Sequence, residues 1–329
     1  MAYSAEVVKR ARERLAQARE DRESENRQHI QQAYAQVPRI REIDLELRRT
    51  MVQAAQAAFQ SGTDGRQALE QVRINNMALQ QERQRLADAY FPEGFLDDSP
   101  VCDKCGGTGY IGSTMCECLQ ELCRQEQKRE LTILSGGKET FHQFRLDYYS
   151  DRVDPKLGFS PRQIMENTLQ KCRTYAMTFC LHSGNLLFNG NTGLGKTFLS
   201  ACIARVVADR GYGVVYESAP HLFAKLEAAK FTPNEENRRE AARFTDCDLL
   251  IIDDLGTEMP GQFVTAALYM LINDRILAGR PMVVSTNLSV DDLTRRYTPQ
   301  IASRLHGSFQ RMTFVGEDIR VLKNRGLLG

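Results

Sequence analysis

An α/β domain, a parallel sheet wrapped by helices, is predicted for the C-terminal half of this 329-residue chain, behind a helical region and a small cysteine-rich module. Three observations carry the prediction. From Phe141 onward, short apolar runs alternate with helical stretches. A glycine-rich loop at 190–197 lies between one such run and an amphipathic stretch. Finally, five of the nine cysteines crowd into residues 102–123.

Composition sets the frame. With 42% hydrophobic residues the chain can bury one sizeable core and carry smaller modules beside it. Its 43 basic and 42 acidic side chains leave a formal charge of +1, which excludes binding nucleic acid through bulk charge and leaves only a local patch. The first ten residues hold no apolar signal region, and no run approaches the ~18 apolar residues of a membrane span. The expectation is a cytoplasmic protein without membrane contact, whose cysteines are reduced or metal-bound. Cys172, Cys180, Cys202 and Cys247 stand singly in apolar surroundings and read as buried thiols.

Taken in order, residues 1–91 are rich in Gln, Arg, Glu and Ala and read as helix, punctuated at Pro38 and at Ser61-Gly62-Thr63-Asp64-Gly65. Ile40, Ile43, Leu47, Met51 and Ala55 fall on one helical face. Leu69, Val72, Leu79 and Leu86 fall at near-heptad spacing, interrupted by Asn76 and Arg83. So narrow a stripe needs a partner, either its neighbouring helices or a docked protein. A coiled-coil-like docking region is therefore expected over 1–91, a cysteine module over 92–135, and the α/β domain over 136–329, with Ser135-Gly136-Gly137-Lys138 as the hinge. There is no internal repeat.

The cysteine module reads Cys102-x2-Cys105, then Cys116-x-Cys118, with Cys123 beyond. Four thiolates suit a closed, tetrahedral Zn²⁺ site with no open position, hence a structural one, with Cys102, Cys105, Cys116 and Cys118 as ligands. Cys123 could replace Cys116 or Cys118, and a redox pair or an iron–sulfur centre is the alternative chemistry. Metal binding there would supply on the order of 10 kcal/mol to a segment too small for its own core.

Residues 190–197 read Gly190-Asn191-Thr192-Gly193-Leu194-Gly195-Lys196-Thr197, the phosphate-loop pattern G-x4-G-K-[ST]. Chance produces it in only about one chain in a hundred of this length. Leu186-Leu187-Phe188 supplies the strand before it, and 196–210 the helix after it, stopped by Gly211. Glycines let backbone N–H groups turn inward onto phosphates, and the helix N-terminus adds positive potential. Lys196 is placed to reach the β- and γ-phosphates of ATP, and the Thr197 hydroxyl to ligate Mg²⁺. A second strand, Asp248 to Asp254, ends in two carboxylates: Asp253 to hold Mg²⁺ through water, Asp254 to orient or deprotonate the attacking water. Strands at 213–217 and 281–287 complete the pattern, the latter ending at Asn287, a candidate sensor of the γ-phosphate.

The order of these motifs, with Ile301-Ala-Ser-Arg304-Leu and Gly316-Glu-Asp-Ile-Arg320 behind them, resembles the AAA+ ATPases. Within these it is similar to the DnaC/DnaI bacterial helicase loaders and the related IstB-like transposition ATPases, over roughly residues 141–329. The resemblance implies a parallel five-stranded sheet, an arginine finger at Arg304 reaching a neighbour's ATP, and a sensor arginine at Arg320. It further implies self-association when ATP is bound. Asp253-Asp254 stands where many AAA+ proteins have Asp-Glu; the shorter carboxylate argues for a slow, partner-stimulated ATPase. DnaI-type loaders carry a zinc module that IstB-like proteins generally lack, and Thr108-Gly-Tyr-Ile-Gly with Cys116-x-Cys118 looks like theirs.

These readings converge on an ATP-dependent loader of a hexameric DnaB-type replicative helicase onto single-stranded DNA. An ATPase that assists a transposase, and a nucleotide-dependent scaffold without turnover, are the alternatives. For DNA contact the residues offer only Lys225 and Lys230 on one helix with Phe223 nearby, a pattern that a solvated helix face also explains.

Overall fold

The computed structural model describes residues 3, 5–58, 63–135, 139–155 and 158–324. They form two compact units, one of residues 13–118 and one of residues 1–12 with 119–329.

In the smaller unit three long helices follow one another: α1 (Ala5–Gln36, whose first turns belong to the larger unit), α2 (Pro38–Ala58) and α3 (Thr63–Tyr90). Pro38 opens α2, where its missing N–H costs nothing. The second predicted break is displaced: Thr63, Asp64 and Gly65 lie inside α3, while Ser61 and Gly62 are outside the described residues. The residues that interrupt the apolar stripe have found polar partners across the helix pair. Thr50 donates to Asn76 Oδ1 at 2.6 Å, and Arg83 donates to Asp44 at 2.8 Å. Their numbering runs in opposite directions, so α2 and α3 pack antiparallel, the first of the two partners the stripe allowed. Ile40 and Ile43 are fully buried; the side chains of Met51, Ala55 and Leu69 lie outside the described part. Ala33, Val37, Ile40 and Phe91 form the small core, closed by a stack of His29, Phe95 and Phe91 rings. A two-residue hairpin, β1 (Tyr110–Ile111) and β2 (Thr114–Met115), then leads into α4 (Glu117–Ser135). The expected hinge at Gly136–Lys138 lies outside the described residues.

The larger unit is the α/β domain. After two single-turn 3₁₀ segments come α5 (Pro161–Thr178), β3 (Asn185–Asn189), α6 (Lys196–Asp209), β4 (Val214–Ser218), α7 (Ala219–Phe231) and α8 (Glu235–Asp246). They are followed by β5 (Leu249–Leu255), α9 (Gln262–Leu277), β6 (Met282–Thr286), α10 (Val290–Arg296), α11 (Pro299–Gly307), β7 (Phe309–Thr313) and α12 (Ile319–Asn324). The five strands β3–β7 make one parallel sheet in the order β4-β5-β6-β3-β7. Helices cover both faces, so the central strands bury successive side chains on opposite sides, and this is why they read as unbroken apolar runs. Leu186, Phe188, Ile251 and Val283 join one core cluster with α5 and α6. Leu187, Leu250, Ile252 and Val284 join the other with α7, α9 and α11. β7 was not legible as a strand: it is an edge strand whose Gln310 and Arg311 are exposed.

One expectation about cysteines needs revision. Cys172, Cys202 and Cys247 are buried as expected, but Cys180 is exposed. It sits in the turn after α5, where the Ser183 N–H donates to its carbonyl at 2.9 Å and its own N–H to Ser183 Oγ at 2.9 Å. Cys123 is fully buried on α4 and does not join the other four module thiols. Among the described residues no helix is long and apolar enough to cross a membrane.

Candidate active site and metal centre

Because every strand of the sheet runs the same way, the loops after β3, β5, β6 and β7 all emerge at one edge. That edge holds a cavity of about 330 Å³. Its lining includes residues 192–198 of the glycine loop, Asp254, Asn287 and Arg320, with Phe144, Tyr148 and Tyr149 as an aromatic wall.

The glycine loop needs its glycines at specific places. Gly195 caps α6 in the left-handed region at φ +87°, and a β-carbon there would lie 3.1 Å from both the Phe144 ring and Tyr149 Oη. Gly193, at φ +73°, faces the Asp318 carboxylate so closely that any side chain would collide with it. Tyr149 donates to the Leu194 carbonyl at 2.9 Å, and the Ile319 N–H to the Gly193 carbonyl at 3.1 Å, so the loop is held from both flanks.

Lys196 is the first residue of α6 and is buried. Its Nζ donates to the carbonyls of Gly190 and Asn191 at 2.7 Å each and to Asn287 Oδ1 at 2.5 Å. Burial lowers its pKa, with the Asp254 and Asp253 carboxylates acting against that shift. The pairing with Asn287 follows from strand order, since β6 lies between β3 and β5 and delivers Asn287 between the loop and the carboxylates.

The two carboxylates part company. The β5–β6 register shifts between Ile252 and Leu255, and Asp254 takes a left-handed φ of +55°, so the chain is bulged where the acids sit. Asp254 lines the cavity; burial and then the Asp253 charge raise its pKa, opposed by Lys196 and Arg320. Asp253 is buried, its Oδ1 accepting from Ser285 Oγ at 2.5 Å and its Oδ2 from Tyr216 Oη at 2.9 Å. Thr197 is exposed on the loop. The Thr197 hydroxyl and the two carboxylates are hard oxygen donors of the kind Mg²⁺ takes, so the set fits a Mg²⁺–nucleotide complex.

Arg320, on α12, lines the same cavity. Arg304 does not. On α11 it stacks on the Tyr269 ring at 4.4 Å and donates to Tyr269 Oη and Asn273 Oδ1 at 2.9 Å each. The basic helix also differs from expectation. Phe223 is a core residue, and Lys225 is engaged by Glu217 at 2.6 Å and Glu240 at 3.4 Å. Lys230 instead lies over the rings of Phe231 and Phe263, at 5.3 and 5.2 Å from their centroids, and Phe231 is exposed.

Sequence reasoning did not single out Tyr216, Ser200, Tyr149 or Asp318. For Tyr216 one signal existed, a polar tip inside an apolar strand, where a buried hydroxyl must find a partner.

In the cysteine module the Sγ atoms of Cys102, Cys105, Cys116 and Cys118 all lie within 4.8 Å of one another. Cys102–Cys116 and Cys105–Cys118 are 3.8 and 3.5 Å apart. A tetrahedral ion with ~2.3 Å bonds to sulfur spaces its ligands by about 3.8 Å, so the group fits Zn²⁺. The hairpin produces this meeting: the Cys116 N–H donates to the Gly109 carbonyl at 2.8 Å and returns the second pair to the first. The Gly109 N–H also points at Cys105 Sγ at 3.3 Å. Desolvation works to raise the Cys105 thiol, but that N–H and the neighbouring sulfurs hold it down at about 6. Desolvation and the same neighbours push Cys118 the other way.

With this geometry in place, comparison with known proteins becomes informative. Residues 157–303 match the family model described as IstB-like ATP binding protein. The chain is 26% identical over 191 residues to the phage-like element PBSX protein XkdC of Bacillus subtilis, covering 55% of this chain and 66% of that protein. It is 26% identical over 114 residues to the replicative helicase loader DnaI of the same species, covering 34% and 36%. Over 91 residues it is 33% identical to an insertion sequence ATP-binding protein of Sinorhizobium fredii, covering 28% and 30%. The chain thus spans between 30% and 66% of these relatives' lengths. Among solved structures, the DnaC helicase loader aligns with a TM-score of 0.44 at 18% identity, over 53% of this chain and 98% of that one. Residues 157–303 thus form an IstB-like ATP-binding domain with a phosphate loop, in one chain with a four-cysteine cluster suited to zinc.

Proposed function

We propose that the chain is a cytoplasmic ATPase that loads a hexameric replicative helicase onto single-stranded DNA. The observation that carries this reading is the four-thiol module in the same chain as the ATP-binding domain, the combination the resemblance to DnaI-type loaders leads one to expect. In this reading the helical region and the module engage the helicase, and the α/β domain responds to ATP.

The residues divide the work. The N–H groups of 190–195 and the Lys196 ammonium receive the phosphates; Lys196 must exchange its contacts with Gly190, Asn191 and Asn287 for phosphate oxygens. Thr197 and Asp253 would hold Mg²⁺, which would supply neutralisation of the charge developing on the phosphates. Asp254, its carboxyl raised in pKa beside Asp253, orients the attacking water and accepts its proton. Asn287 and Arg320, both lining the cavity, sense the γ-phosphate. Arg304, absent from its own cavity and half-buried against Tyr269, serves a neighbouring copy, which makes turnover depend on assembly. Lys230 with Phe231 and Phe263 offers a cation beside stacking rings, chemistry that suits an unpaired DNA strand.

A second reading, an ATPase assisting a transposase on duplex DNA, is favoured by the insertion-sequence relative. The test uses the full chain, immobilised with ATP and offered the host's replicative helicase. The loader retains the helicase, and its phosphate release rises when helicase and single strands are added. Retention of a transposase instead supports the second reading. Equal phosphate release from wild type and Lys196→Ala leaves a scaffold without turnover.

A further inference from the structure

Asp253 is gripped by hydroxyl groups that the glycine loop does not supply. Asp253 and Tyr216 are each 6% exposed, and Ser285 and Ser200 not at all. An ionised carboxylate can only accept, so the single hydrogens of Tyr216 and Ser285 are both assigned to it, on Oδ2 and Oδ1 respectively. With its hydrogen placed there, Ser285 Oγ accepts the Asp254 N–H at 2.8 Å, so one serine holds both acids of the strand end. The Tyr216 oxygen is likewise left as an acceptor. Its other neighbour is Ser200 Oγ at 3.1 Å, which is also 3.0 Å from the Thr197 carbonyl. Ser200 therefore has one hydrogen and two acceptors, Tyr216 and the backbone of Thr197. Phenylalanine would fill the same apolar slot in β4. A hydroxyl there is costly unless it is bonded, and here it donates to Asp253.

We propose that Tyr216 and Ser285 are positioning residues for the divalent cation, fixing the Asp253 carboxylate, and that Ser200, beside the Tyr216 hydroxyl, steadies Tyr216 in turn. This inference rests on the Mg²⁺–nucleotide reading above, and its test separates the two.

The full chain is titrated with Mn²⁺ in the presence of saturating ADP, free ion being read by electron paramagnetic resonance. Nucleotide affinity is measured separately in chelator with a fluorescent ATP analogue. Loss of a partner that orients a ligand group weakens metal binding by about tenfold or more. Tyr216→Phe is expected to raise the Mn²⁺ dissociation constant about tenfold and to leave metal-free nucleotide affinity within about twofold. Ser200→Ala, one bond further away, shifts it about two- to threefold. Ser285→Ala matches Tyr216→Phe and carries the test alone if that variant does not fold. Wild-type Mn²⁺ affinity in both Tyr216→Phe and Ser285→Ala would overturn the proposal, leaving the hydroxyls as core bonds only. Absence of nucleotide-dependent Mn²⁺ binding in the wild type would instead remove the Mg²⁺–nucleotide reading, and the proposal with it.

Discussion

Residues 100–118 and the loop at 190–197 both bring polar groups together around an intended ion or ligand, but they rest on different foundations. Around the cysteines, only Gly107, Gly109 and Cys116 are buried within residues 100–118. The four sulfurs are the interior, and a bound ion would be its centre. The nucleotide loop lies on two apolar clusters that cover both faces of a five-stranded sheet. Its shape is set by hydrogen bonds and packing from the protein itself, through Tyr149 and Ile319. The difference teaches where folding energy comes from in each region: from coordination in a segment with no core, from burial in a domain with two.

Chelation is the strongest way to break this contrast. Stripping zinc, or replacing Cys102 and Cys105 with serine, should remove on the order of 10 kcal/mol of local stabilisation. Amide exchange across 102–118 should then lose protection while nucleotide affinity stays within about threefold. If nucleotide binding fails along with the metal, the two regions do not stand on separate foundations. Next in size is Lys196→Ala, expected to weaken ATP binding by about a hundredfold through loss of charge-assisted bonds, with zinc content by mass spectrometry still one per chain.

Gly193→Ala sharpens the claim that the loop is shaped by packing. At φ +73° and against Asp318, the added methyl should cost about 2 kcal/mol in denaturant unfolding of the α/β domain. An unchanged midpoint would show that the loop relaxes freely. The smallest effect is expected from Tyr149→Phe. It deletes the buried bond to Leu194 and should cost about 1 kcal/mol, with the Cys102–Cys118 region unaffected in amide exchange.

Much of this was readable from residue order. The glycine loop, the paired acids, Asn287 and the cysteine spacing are local patterns, and the cavity does gather Lys196, Asp254, Asn287 and Arg320. The apolar runs at 186–188 and 249–252 announced strands because a strand covered on both faces must be apolar throughout. On the basic helix, spacing did not say which face is core: Phe223 is buried and Phe231 exposed.

Short-range chemistry, then, was determined by the sequence alone: which loop can cradle phosphate and which group of thiols can share an ion. Strand order was decided only by the tertiary structure, and with it the contact of Asn287 with Lys196 and the grip of Tyr216 and Ser285 on Asp253. The same holds for Arg275, whose buried guanidinium ties the carbonyls of Phe244, Cys247 and Pro281 at the starts of β5 and β6. The physical reason is range. Backbone propensity and motif spacing act over a few residues, whereas these bonds join groups up to 91 positions apart that meet only once the sheet has assembled.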